Sequence, residues 1–197
     1  MINFLDPKNI HPDVGQYTIS NDIIVMPLWT KEFCQEIINF CNQTNKYHFD
    51  EQYQTTETRL SHVDDENMTM TKQFGDMYKK YIIPVINKEW MVMDFDGLMT
   101  PFILKYTMNG SRSIRIHSDS SIVTFHMKLN DQFTDGEVVF PRQNLTNKDI
   151  EIGHAVLFPG MVTHPHYSNP ITSGERYAFV SFSVHANWGN GPFLYNF

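Results

Sequence analysis

Two different spacings of hydrophobic residues divide the chain near residue 100. Before that point, apolar residues recur every three or four positions over 30–44 and again over 71–83, which predicts two amphipathic helices. Thr30 suits the N-cap of the first helix, and Pro84 is expected to kink or end the second. An apolar run at 22–29 predicts a short strand ahead of both helices.

Beyond residue 100, short apolar runs alternate with turn signals such as Asn109-Gly110 and Pro159-Gly160. Several short strands at this spacing are typical of a sandwich or a barrel. Together with the helices before them, they predict an α+β fold in which an antiparallel double sheet is braced on one outer face by N-terminal helices. The predicted strands are FILKYTM, SIVTFHMKL, GEVVFP, HAVLFPG, MVTHPHYS and RYAFVSFSV.

The length of 197 residues favours a single domain that buries a substantial core. Within residues 1–197 we expect a lead-in arm at 1–20, a helix-rich support at 21–99, a strand-rich core at 100–185 and a tail at 186–197. Residues 45–66 are polar and lack a period, so the sequence predicts an irregular loop inside the support.

Composition narrows the partners. The net charge is −7 and Lys and Arg together number 15, so nucleic acid is not expected and a cationic substrate is favoured. No apolar run has the length of a membrane span. Cys34 and Cys41 lie on the first predicted helix about 10 Å apart, too far for a mutual disulfide, and we expect both to be buried.

The strand-rich half carries the candidate chemistry. His117 and Asp119 form an H-x-D pair, and side chains two apart on an extended segment point the same way. A third ligand would come from His164 or His166, and strand alternation sends both of these to the same face, so the pattern does not choose between them. Two histidines and one carboxylate are the ligand set of non-haem Fe(II) oxygenases, which keep three coordination positions open.

Strand alternation also places Thr124 and His126 together, toward the interior of the double sheet. His126 is either a satisfied core histidine or part of a second metal site. The opposite face of the same strand is apolar and carries Val123, Phe125, Met127 and Leu129.

The stretches HSDSSIVTFHMKLND, GEVVFPRQN and GHAVLFPGMVTHPHYSNPITSGERYAFVSF resemble the catalytic domain of collagen lysyl hydroxylases. The resemblance covers the strand-rich half and extends more weakly through IIVMPLWTKEFCQEIINF. It implies a double-stranded β-helix, or jelly roll, and an Fe(II)/2-oxoglutarate dioxygenase. The frequent use of Asn, Ile and Lys favours an AT-rich genome, viral or microbial.

The resemblance also implies roles for particular residues. His117, Asp119 and His166 would hold Fe(II), and Arg176 would bind the distal carboxylate of 2-oxoglutarate. His166 is preferred as the ligand because it lies nearer the hairpin that leads to Arg176, and His164 would then support ligand orientation.

Other positions complete this expected site. Tyr106 matches a co-substrate position of the family, and Thr124 joins it in the predicted cofactor-binding set. His126 departs from the family, whose usual residue there is not a histidine. The loops at 45–66 and 131–135 would recognise a lysine ammonium group, with Asp131 and Asp135 as candidates or as parts of a solvated acidic loop.

The implied reaction is O2-dependent hydroxylation of peptidyl lysine at C5 in Gly-X-Lys sequences, with Fe(II), 2-oxoglutarate and ascorbate as cofactors and with succinate and CO2 as products. Prolyl or other protein hydroxylation stays open, because members of the superfamily share these residues. A non-catalytic jelly-roll binding domain is the third hypothesis, and it would show no Fe(II)-dependent turnover.

The expected partners are a collagen-like peptide and a second copy of the chain, since lysyl hydroxylases dimerise through this domain and contain further domains. The expected location is the lumen of the endoplasmic reticulum if the chain behaves as its animal relatives do, and otherwise host cytoplasm or virion.

Overall fold

The computed structural model of the chain describes residues 2–91, 97–185 and 193–196. The helical elements are a 3-10 helix at Pro7–Asn9, α1 (Lys31–Thr44), α2 (Leu60–Val63), α3 (Thr69–Tyr81) and α4 (Ile83–Trp90). The strands are β1 (Thr18–Ser20), β2 (Ile23–Pro27), β3 (His48–Asp50), β4 (Thr55–Arg59), β5 (Gly97–Met99), β6 (Phe102–Thr107), β7 (Val123–Lys128), β8 (Phe133–Asp135), β9 (Val138–Phe140), β10 (Leu145–Thr146), β11 (His154–Pro159), β12 (Tyr167–Ser168), β13 (Ile171–Val184) and β14 (Phe193–Asn196).

The strands form two antiparallel sheets. The larger sheet has the order β1-β2-β11-β7-β13-β6-β4-β3, and the smaller one has the order β10-β9-β12. The long strand β13 lies at the centre of the larger sheet and also pairs with β5 and with β8. This order places β7, β13 and β6 side by side, and these three strands carry Thr124, Arg176 and Tyr106, half of the predicted site residues.

The larger sheet buries a different set of residues on each face. On one face, Phe125 and Phe179 pack against Trp29 and Phe74 from the N-terminal part of the chain, and Trp29 in turn packs against Phe33. On the other face, the larger sheet packs against the smaller one through Val156 and Phe158 with Val138 and Phe140. This double sheet, braced by helices on one outer face, confirms the predicted α+β arrangement.

Both predicted helices are present, although the second runs from Thr69 to Tyr81 and not over 71–83, and α2 and α4 were not predicted. Thr30 caps α1, and its hydroxyl oxygen accepts a hydrogen bond from the Phe33 amide at 3.3 Å. Helix α3 ends at Tyr81, and Pro84 lies in the first turn of α4, where a missing amide hydrogen leaves no helical bond unmade. Pro84 therefore separates two helices.

The prediction of an irregular loop over 45–66 is wrong for the middle of that segment. Strands β3 and β4 form a hairpin there, and β4 extends the larger sheet by pairing with β6. This hairpin (His48–Arg59) is missed by a search for apolar alternation because its buried positions include Thr55, Glu57 and Thr58.

Two further segments differ from their predictions. The arm at 1–20 contains β1, and Phe4 is fully buried against Trp29 and Phe33. Only the last two residues of the predicted strand MVTHPHYS are in a strand, because the chain turns at Met161, which has a φ of 58°. The predicted tail at 186–197 lies outside the described residues except for β14, which pairs with β5.

Cys34 and Cys41 are free and buried, as predicted. Burial raises the pKa of both thiols to about 12, so they remain protonated at neutral pH. None of the helices in the described residues is both long and apolar enough to cross a membrane.

Candidate metal and co-substrate site

His117 and His166 are brought together by the backbone. The amide of His117 donates to the carbonyl of His166 at 3.0 Å, and the amide of His166 donates to the carbonyl of His117 at 2.8 Å. This reciprocal pair of hydrogen bonds sets the two imidazole rings side by side, with centroids 4.4 Å apart.

Asp119 completes a three-residue cluster. Its Oδ1 lies 3.3 Å from Nε2 of His117, and its Oδ2 lies 3.7 Å from Nε2 of His166. The three ligand atoms lie within 4.8 Å of one another. Burial alone would raise the pKa of Asp119, but the hydrogen bond and the charges of the two histidines outweigh it and lower that pKa. The carboxylate of Asp119 and the imidazoles of His117 and His166 are therefore close enough to bind one ion together.

The other ring nitrogen of each histidine is already held. Nδ1 of His117 lies 2.8 Å from the carbonyl oxygen of Arg115, and Nδ1 of His166 lies 3.0 Å from that of His164. A carbonyl only accepts, so Nδ1 carries a proton in both rings, and a neutral ring would then have its lone pair on Nε2. This tautomer and ring orientation fit a metal ion bound by both Nε2 atoms and the carboxylate.

Asp119 is itself held in place. The hydroxyl of Thr124 donates to Oδ2 of Asp119 at 2.7 Å, and the Ser121 hydroxyl lies 2.7 Å from that of Thr124. Gly160 packs against this segment so closely that a Cβ atom there would lie 2.1 Å from Oγ and 2.3 Å from the carbonyl oxygen of Ser121. The position therefore requires glycine because of close approach.

Arg176 lies on β13 with 2% of its surface exposed, and it faces the same cavity as the cluster. Its guanidinium carbon is 4.8 Å from the centre of the Tyr106 ring, and its Nη2 is 3.5 Å from Nε2 of His126. Within the part of the chain that the structure describes, no Asp or Glu side chain forms an ion pair with it. A buried guanidinium without a protein carboxylate fits an acidic ligand.

The sequence relatives share this domain. The chain is 28% identical over 194 residues to the procollagen lysyl hydroxylase and glycosyltransferase of Acanthamoeba polyphaga mimivirus, covering 91% of this chain and 21% of the relative. It is 27% identical over 176 residues to the human procollagen-lysine,2-oxoglutarate 5-dioxygenase 2, covering 82% of this chain and 23% of the relative. The chain is therefore similar to the procollagen lysyl hydroxylases over most of its own length. It spans about a fifth of the length of these relatives, and no protein-family model matches it.

Solved structures agree on the fold. A viral collagen prolyl hydroxylase from Paramecium bursaria Chlorella virus-1, solved as its 2-oxoglutarate complex, has a TM-score of 0.58 at 14% identity over 87% of this chain and 98% of its own. A prolyl-4-hydroxylase from Pseudomonas putida has a TM-score of 0.62 at 13% identity over 84% of this chain and 94% of its own. The fold is the jelly roll of these oxygenases, as predicted.

Local geometry separates His164 from His166. His164 lies outside the cluster, because its Nδ1 is 2.9 Å from the Thr163 hydroxyl and its Nε2 is 3.4 Å from the carbonyl of Asn21. Strand alternation does not apply here because 161–165 are not in a strand. The carbonyl of His164, and not its side chain, orients His166.

The other two residues of the predicted co-substrate set also line the cavity. Burial raises the pKa of Tyr106, so its hydroxyl stays protonated and can donate beside Arg176. Thr124 directs its hydroxyl to Asp119, which places it behind the carboxylate of the three-residue cluster.

His126 lies on the cavity wall and is buried. Its burial, together with the charge of Arg176, lowers the pKa of His126 to about 3, so the ring is neutral. The described residues contain one group that could hold a metal, and His126 is outside it, which leaves the second metal site without support.

Asp131 and Asp135 do not line the cavity. Both are exposed, and they accept hydrogen bonds from Gln132 and Thr172 respectively. The acidic residues of the cavity wall, besides Asp119, are Asp50 and Glu57 of the β3–β4 hairpin. The sequence analysis assigned lysine recognition to the loop at 45–66 but did not name Asp50 or Glu57. The alternation that sends Thr55, Glu57 and Arg59 to one face could have identified Glu57.

Proposed function

We propose that this domain is an Fe(II)- and 2-oxoglutarate-dependent dioxygenase that hydroxylates C5 of peptidyl lysine in collagen-like Gly-X-Lys sequences. The observation that carries the proposal is that one cavity of about 160 Å³ is lined both by the His117, Asp119 and His166 cluster and by the buried Arg176. The sequence relationship to procollagen lysyl hydroxylases supports lysine as the target.

In this proposal, His117 and His166 bind Fe(II) through Nε2, and Asp119 binds it through its carboxylate. The three ligands leave coordination positions for the co-substrate and O2. When bound, Fe(II) and 2-oxoglutarate supply the oxidising chemistry that inserts one oxygen atom of O2 into a C–H bond and releases succinate and CO2.

The chain's own residues position the reactants. Arg176 offers a planar fork of donors to the distal carboxylate of 2-oxoglutarate, and the Tyr106 hydroxyl donates beside it. Thr124 holds the carboxylate of Asp119. Apolar side chains that include Leu104 and Phe158 line the cavity and limit the access of water.

The direct test is succinate release by the purified chain with Fe(II), 2-oxoglutarate, O2 and a Gly-X-Lys peptide, followed by mass mapping of the added oxygen. We expect one added oxygen on lysine, lost when a chelator removes the metal. The same peptide with proline in place of lysine is the control. Robust turnover with the added oxygen on proline would show that proline, and not lysine, is the target. The absence of turnover on either peptide would favour a non-catalytic binding domain.

We propose in addition that ascorbate sustains repeated turnover and that the chain acts as a homodimer, as the resemblance to lysyl hydroxylases implies. Light scattering of the purified chain tests the second point, with twice the monomer mass of 23.1 kDa as the expected result. A monomer at assay concentrations would contradict it.

A further inference from the structure

Charged side chains are rarely buried without a partner, since removal from water is costly. Among Asp, Glu, Lys and Arg in the described residues, three are buried: Glu57, Asp119 and Arg176. All three line the one cavity. The proposed function uses Asp119 for the metal and Arg176 for the diacid, and it leaves Glu57 without a role.

Glu57 faces the cavity from β4, the last strand but one of the larger sheet. On β4 it lies in register with Leu104 of β6, which in turn lies in register with Ala178 of β13. Strands of a sheet are spaced by about 4.8 Å, so Glu57 is roughly 10 Å from β13 across the cavity floor. Glu57 and Arg176 therefore line the same sheet two strands apart.

The partners of Glu57 leave room for another cation. Arg59 Nε lies 3.7 Å and His48 Nε2 lies 3.5 Å from its Oε1, both longer than the roughly 3 Å of a good hydrogen bond. Both partners are partly exposed, with 34% and 43% of their side-chain surface accessible. Burial raises the pKa of Glu57 despite these two neighbours, so a further positive charge would stabilise the ionised carboxylate.

We infer that Glu57 receives the ε-ammonium group of the target lysine, a step that rests on the proposed lysine hydroxylation. The ammonium nitrogen lies two bonds beyond C5, so a lysine that presents C5 to the metal extends its charge deeper into the same cavity. A proline side chain carries no cation and leaves the carboxylate with only its longer contacts to Arg59 and His48. Glu57 would thereby favour lysine over proline, because only lysine adds a closer positive charge to this buried carboxylate.

The variant Glu57→Gln tests this, because it keeps the shape and removes the charge. We expect the KM for the Gly-X-Lys peptide to rise by about 10- to 100-fold, since a charge pair away from water is lost. The KM for 2-oxoglutarate should stay within about two-fold of wild type. Asp131→Asn is the matched control: Asp131 is exposed and outside the cavity, so we expect no change.

A substrate change gives a second readout with the unaltered chain. Norleucine has the carbon chain of lysine without the ammonium group, so a Gly-X-norleucine peptide should bind about as weakly to wild type as the lysine peptide binds to Glu57→Gln. Equal KM values of wild type for the lysine and norleucine peptides would overturn the inference, even if Glu57→Gln failed to fold.

The outcomes separate the inference from the proposed function. Normal lysine KM in a folded Glu57→Gln, with lysine hydroxylated by wild type, rejects the role of Glu57 and leaves lysine hydroxylation standing. Absence of lysine hydroxylation by wild type rejects both.

Discussion

The two faces of the larger sheet use the same strands for opposite purposes. On the face covered by helices, β7 presents Phe125 and β13 presents Phe179, and both join one aromatic cluster. On the cavity face, the neighbouring residues Thr124, His126 and Arg176 are polar, yet they are also buried. Because side chains alternate along a strand, stability and chemistry are separated by a single position.

This difference predicts how substitutions should act. Changes on the helix face should lower the free energy of unfolding, because apolar contacts are lost there. Changes on the cavity face should alter metal or ligand binding with a smaller effect on stability, because those side chains face a space in which the ligands bind.

The largest expected effect comes from Asp119→Ala on the cavity side. It removes the only carboxylate of the cluster, so Fe(II)-dependent succinate release should fall to background. Calorimetric measurement of Fe(II) binding under anaerobic conditions checks that activity is lost because the metal no longer binds. Asp149→Asn on the exposed surface is the control. Full activity of Asp119→Ala would refute the ligand assignment.

The next effect concerns the helix face. Phe179→Ala should lower the free energy of unfolding by about 3–5 kcal/mol, because a fully buried ring is removed and a cavity remains. Urea unfolding followed by circular dichroism measures it. Phe182→Ala, on the same strand but half-buried on the cavity wall, is the matched comparison and should cost less. Equal losses of unfolding free energy in the two variants would show that the helix face does not contribute more to stability than the cavity face.

Arg176→Ala should raise the KM for 2-oxoglutarate by roughly 100-fold, since a buried guanidinium no longer meets the distal carboxylate. Initial rates at saturating peptide measure this, with the exposed Arg142→Ala as the control. An unchanged requirement for 2-oxoglutarate would count against the role of Arg176.

Thr124→Val should have the smallest effect. It keeps the shape and removes the hydroxyl that donates to Asp119, so Fe(II) affinity should fall by about 10-fold. Thr124→Ser restores the donor and should recover most of the loss. If Thr124→Val instead changed only the KM for 2-oxoglutarate, the hydroxyl would act directly on the co-substrate.

Alternation made one part of this molecule predictable. The two faces of β7 and β13 were predicted correctly from sequence, because each strand has one apolar face and one face with a few polar residues. The proximity of the His117 and Asp119 side chains was also predicted correctly, since the two residues lie close in the chain. What carried His166 into the same expected site was family resemblance, as strand alternation could not separate it from His164.

The parts that were not predicted depend on tertiary contacts. The β3–β4 hairpin has polar residues at buried positions, including Thr55 and Glu57, because one of its faces borders the cavity. Phe4 lies in a segment without a period, and only its contact with Trp29 and Phe33 explains its burial. His164 was placed on the wrong side because the chain leaves the extended conformation between 161 and 165.

The reciprocal amide–carbonyl pair between His117 and His166 has a consequence for which metals compete for the site. The spacing of the two rings is fixed by backbone hydrogen bonds, so it exists before any ion arrives. A pocket that is rigid in this way gains nothing by reshaping around one ion, and nitrogen and oxygen donors bind Zn2+ and Cu2+ more tightly than Fe2+. If the cluster binds iron as proposed, selection of iron then depends on the cellular supply of metals, and trace zinc should inhibit turnover until excess ferrous salt displaces it.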